Sequence, residues 1–124
     1  MALVPAGDSF TREQRLRIAE AIRKAELRSR MEITAYVGPV EGDDPRAFAT
    51  QLHNTLAAPT RSLVIMVDPA LRALEIVTGG WVRERLPDEQ VQLTALEMQL
   101  AFSEGDLAGG LVRGIGALAD RATA

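Results

Sequence analysis

Seven consecutive residues, Ser62 to Asp68 (Ser-Leu-Val-Ile-Met-Val-Asp), restrict the fold more than any other part of this chain. The run has no polar residue at helical spacing. It is too short for a buried helix and rich in branched side chains, so it reads as a strand covered on both faces. Such a strand needs elements above, below and beside it. A chain of 124 residues, 47% apolar and 25% charged, can supply them within one domain.

The flanking sequence names those elements. Thr11-Arg12-Glu13-Gln14 reads as a capping box that opens a helix running to about Ser29, with Leu16, Ala19, Ile22 and Ala25 on its buried side and Ile18 alongside. From Met31 to Val37, Ile33, Ala35 and Val37 alternate with Glu32, Thr34 and Tyr36, the period of a strand. Asp44-Pro45 starts a second helix, and Phe48, Leu52 and Leu56 recur along it. This helix links two strands, so they are expected to run parallel.

Asp68-Pro69-Ala70-Leu71 is a turn, and Arg72 to Thr78 a further strand, antiparallel to the central one. Trp81 to Leu86 reads either as a short helix or as a loop. Pro87 and Asp88 open a helix with Val91, Leu96, Leu100 and Phe102 inward. A last helix spans about Leu107 to Ala119, with Gly110 and Gly114 on one side for close packing. The expected architecture is α/β: a single-domain mixed β-sheet of three or four strands with helices on its faces. Residues 1–9 are expected as a flexible tail, 10–120 as the domain and 121–124 as a short C-terminal tail.

Composition excludes several chemistries. Without cysteine there is no disulfide scaffold, no thiolate nucleophile and no cysteine-ligated zinc. Residues 1–9 lack the pattern of a secretory signal, and no apolar run approaches the roughly 20 residues of a membrane span, so a cytoplasmic location is expected. Net charge is −3, yet Arg12, Arg15, Arg17, Arg23, Lys24, Arg28 and Arg30 hold half of the basic residues. Interleaved glutamates and the lack of aromatics among them disfavour nucleic-acid binding.

Element order and scattered residues together resemble the TPM domain family, in an atypical actinobacterial branch. The likeness rests on Thr11 to Gln14, the apolar run Leu63 to Val67, Arg72 in the turn, Thr78-Gly79-Gly80, Leu86 and Asp88, and Phe102, Gly105, Asp106, Ala108, Gly110 and Leu111. It implies a TPM-like fold, acid phosphatase activity and hard-cation binding between the loop before the central strand and the loop after its partner. Thr60, Arg61 and Ser62 stand where that family has aspartate, asparagine and glycine. A permanent cation in place of oxygen donors opposes a hard cation.

The expectation is therefore a TPM-like domain without metal-dependent catalysis or cofactor, acting as a protein-binding or regulatory module. The alternative is a weak acid phosphatase on phosphomonoesters, with Asp88 as the catalytic group. Candidate anion or ligand residues are Arg61, Ser62, Gly79 and Gly80, the glycine amides forming a nest. Arg61 near Asp88 could instead be a structural ion pair, or the two could be separated surface charges. His53, the only histidine, is expected at the surface or the core boundary, without a triad. Asp43 and Asp44 are expected as a cap and a solvated neighbour. Trp81 is either a contact residue or a lid over the end of the sheet.

Overall fold

In the computed structural model, which describes residues 10–124, the Ser62–Asp68 run is β2, with every residue buried. It is the middle strand of a three-stranded mixed sheet of order β1-β2-β3. β1 (Glu32–Val37) runs parallel to it, with Ile33 opposite Leu63 and Val37 opposite Val67. β3 (Ala73–Thr78) runs antiparallel, with Thr78 opposite Leu63. The expected tail over 1–9 lies outside the described residues.

Alternation along the strands separates two cores. Leu63, Ile65 and Val67, with Ile33, Ala35, Val37, Leu74 and Ile76, face α1 (Arg12–Ser29), α4 (Asp88–Ser103) and α5 (Leu107–Ala122). Val64, Met66 and Val77 face α2 (Pro45–Asn54), which brings Phe48 and Ala49. α5 lies between α1 and α4 and packs on both.

Local chemistry sets the helix ends. Thr11 Oγ1 accepts the Gln14 amide at 3.1 Å and Gln14 Oε1 accepts the Thr11 amide at 2.9 Å, a complete capping box. Asp44 caps α2 by accepting the Ala47 amide at 3.1 Å. Asp106 caps α5 by accepting the Gly109 amide at 2.9 Å, and that bond, with Arg113 beside it, holds its carboxyl below the ordinary aspartate range.

Two expected inward faces are rotated. α1 buries Ile18, Ile22, Ala25 and Ser29, whereas Leu16 and Ala19 are exposed. α4 buries Val91, Thr94, Met98 and Ala101, whereas Leu96 and Leu100 are exposed and Phe102 is half-buried. The cause in α4 is the glycine face of α5. A Cβ on Gly110 would come within 2.7 Å of the Phe102 ring and 3.0 Å of Ala101 Cβ, and one on Gly114 would meet the Met98 side chain. The glycines let Ala101, Met98 and the edge of the Phe102 ring settle against α5, and that register leaves Leu96 and Leu100 on the outer side.

The segment left open between helix and loop is α3 (Gly80–Arg85). α5 continues to Ala122, past its expected end. Among the described residues, no helix is long and apolar enough to cross a membrane.

Candidate functional site

The antiparallel pairing of β2 and β3 brings the start of one strand beside the end of the other. The Gly79 amide donates to the Ser62 carbonyl at 2.9 Å, so the Thr60–Ser62 and Thr78–Gly80 segments form one corner. A 3₁₀ turn, Pro59–Arg61, leads into it. Gly79 is required here by close approach: an added Cβ would overlap the carbonyl oxygen of Pro59 and lie 2.6 Å from the Thr60 carbonyl carbon.

Several expected ligands are engaged within the fold. The buried Ser62 hydroxyl donates to the Ala58 carbonyl at 2.6 Å. The Gly79 amide is held by Ser62, which leaves the expected glycine nest without one of its two donors. Gly80 begins α3 and has room beside it. His53 is buried rather than at the surface, and its Nε2–H donates to the Ser62 carbonyl at 3.0 Å. That carbonyl thus accepts both the amide and the imidazole, and β2 is anchored at its first residue.

Arg61 stays outside and is exposed. One of its N–H groups donates to the Arg30 carbonyl at 3.2 Å, and its guanidinium lies over the Trp81 ring, 4.0 Å from the centroid. Arg85 also places its guanidinium over Trp81, at 3.6 Å, and donates to the Trp81 carbonyl at 3.0 Å. Arg83, from the same helix, donates to the Thr78 carbonyl. Trp81 is half-buried and packs on the main core, with part of its ring left at the surface.

Asp88 does not meet Arg61. It is exposed in the first turn of α4 and makes no hydrogen bond or ion pair among the described residues. The expected Arg61–Asp88 pair is replaced by the stack on Trp81, because a flat guanidinium gains from an aromatic face what an exposed carboxylate would supply weakly. Asp43 is solvated beside the Asp44 cap.

Among the described residues, Arg61, Arg83 and Arg85 have no carboxylate within ion-pair distance, although Arg23, Arg28, Arg46, Arg113 and Arg121 all do. The arginines of α3 were not singled out in the sequence. The signal available was the spacing of Trp81 and Arg85, four residues apart, which aligns side chains only if the segment is helical.

The corner does not suit a hard cation. Its outward side chains are a threonine and an arginine, and among the described residues no three His, Asp or Glu side chains gather in a group able to hold a metal ion.

The chain resembles solved structures closely in fold. It superposes on the NMR structure of BA42 from Bizionia argentinensis with a TM-score of 0.81 at 23% identity, covering 90% of this chain and 80% of that one. The N-terminal domain of a protein from P. gingivalis gives 0.84 at 20% identity, covering 97% and 80%. The N-terminal domain of cg2496 from Corynebacterium glutamicum gives 0.79 at 17%, covering 96% and 77%. Two relatives, the uncharacterized proteins Rv2468c and MT2543 from two strains of Mycobacterium tuberculosis, are each 26% identical over 96 residues. That stretch is 77% of this chain and 57% of each relative, so the chain spans little more than half of their length. A family model described as a domain of unknown function, DUF5130, matches residues 4–119, and the chain belongs to that family.

Proposed function

We propose that this domain is a TPM-like binding module without metal-dependent catalysis, and that its contact surface is the arginine corner around Trp81. The partner class is an acidic segment of another protein. The observation that carries this reading is the stack of Arg61 and Arg85 on one tryptophan ring with no carboxylate of the described residues beside either. Each guanidinium has five N–H groups and gives one to a backbone carbonyl, so both keep donors for an incoming carboxylate. The ring holds the two forks in place before a partner arrives, which lowers the ordering cost of binding.

Trp81 is the only tryptophan, so its fluorescence reports on this corner alone. Titration with an oligo-glutamate peptide is expected to change the emission and to saturate. Arg61→Ala and Arg85→Ala are each expected to weaken binding roughly tenfold, the scale of one charge-assisted contact. No saturable change in emission would remove the reading.

The phosphatase alternative makes a separate demand. Turnover of a generic phosphomonoester between acid and neutral pH, abolished by Asp88→Asn, would replace the binding module with an enzyme. The isolation of Asp88 from Arg61 favours the module.

A further inference from the structure

α4 turns three leucines to solvent. Leu93, Leu96 and Leu100 are 45%, 60% and 67% exposed, and their spacing aligns them in one stripe roughly 10 Å long. The charges of this helix are all acidic: Asp88, Glu89, Glu97 and, at its end, Glu104, with no lysine or arginine between them. Glu97 is forked by Arg121 at 3.0 and 3.3 Å, and the other three have no ion-pair partner among the described residues.

On the other flank of α5 the opposite surface occurs. α1 and α5 leave a groove of about 470 Å³, floored by Leu16, Ala21 and Val112 and rimmed by Arg17, Lys24 and Arg28. Its one acid, Glu20, is already engaged by Arg23 at 2.8 Å and Lys24 at 3.9 Å, and Arg28 is tied to Asp120. The α1 side of the groove, from position 16 to 28, is roughly 18 Å long, enough for the leucine stripe.

Gly116 adds an independent sign. Gly110 and Gly114 give room that α4 fills, but none of the described residues lies within 4 Å of where a Cβ on Gly116 would stand. A glycine inside a helix is unfavourable relative to alanine, and at Gly116 no neighbour among the described residues uses the space. It lies in the groove, where it would let another helix come close.

We infer that α4 of one copy docks into the α1–α5 groove of a second copy, leucines on the apolar floor and glutamates against the basic rim. This contact is separate from the arginine corner and stands whether or not that corner binds an acidic partner. Because the two surfaces differ, it joins copies head to tail unless a two-fold axis forms both contacts at once.

Sedimentation velocity from micromolar to millimolar protein tests it. The wild type is expected to associate, less so at high salt. A stripe variant (Leu96→Asp with Leu100→Asp) and a groove variant (Gly116→Phe) are each expected to raise the dissociation constant roughly tenfold or more. Lys24→Glu, on the exposed rim, is a second groove variant that leaves the packing of α5 alone. Mixed together, the stripe and groove variants are expected to form a one-to-one pair, since each keeps the surface the other lacks. A wild type that stays monomeric at millimolar concentration would overturn the inference. So would association that both groove variants leave intact, or a mixture that stays monomeric.

Discussion

Gly79→Ala is expected to destabilise the protein by about 3 kcal/mol, the upper end of what overpacking costs. The new methyl group would press on the Pro59 and Thr60 carbonyls, which are main-chain atoms with no rotamer to change. The loop cannot retreat easily, because the Ser62 hydroxyl and amide tie the Ala58 and Pro59 carbonyls to the start of β2, and the Gly79 amide and His53 imidazole hold Ser62 itself in place. In a domain of this size the melting temperature would fall by roughly 10 °C. Gly80→Ala is the control. Its Cβ would meet only the Arg83 guanidinium, at 3.8 Å, so little change is expected. Thermal melts of both variants check the pair, and an unchanged melting point for Gly79→Ala would mean that the corner is not as tightly closed as its hydrogen bonds require.

Asp68→Ala is expected to be comparably damaging, for a different reason. The Asp68 side chain is buried at the end of β2 and its carboxylate accepts three backbone amides: Val40 at 2.9 Å, Ala70 at 3.0 Å and Leu71 at 3.2 Å. Two of these bonds form the turn into β3, and the third draws in the loop after β1. Truncation leaves three donors without an acceptor. At about 1 kcal/mol for each hydrogen bond to the carboxylate that is exchanged for water, the loss comes to about 3 kcal/mol. Asp68→Asn keeps the shape and one good acceptor oxygen, so roughly half of that loss is expected. Urea denaturation measures both. Equal midpoints for the wild type and Asp68→Ala would show that the turn holds by its backbone alone.

The strand pattern was legible because it depends on local period. Ser62–Asp68 matches β2 residue for residue, and the parallel and antiparallel neighbours follow from the lengths of their connections. The caps at Thr11 and Asp44 were legible as well, since each depends on residues within three positions. What failed was the choice of helix face. Leu96 and Leu100 looked like core by hydropathy, but the inward side of α4 was decided by glycines on α5, a helix later in the chain. His53 was misplaced for a similar reason: its acceptor, the Ser62 carbonyl, lies on another element, and backbone acceptors are invisible in a sequence. The corner itself could be located from topology. Its chemistry could not, because the partner of Arg61 is a ring on a segment whose helical state was open.

The sheet is covered unequally, by three helices on one side and by α2 alone on the other. Lifting α2 away would uncover Phe48 and Ala49 together with Val64, Met66 and Val77 on the sheet, a smaller apolar set than the opposite face buries, so it takes less free energy than unfolding the whole domain. His53 belongs to that helix and grips the first residue of β2. Loss of that grip would take from the Ser62 carbonyl one of its two donors, so the footing beneath Arg61 depends in part on a helix on the far side of the sheet.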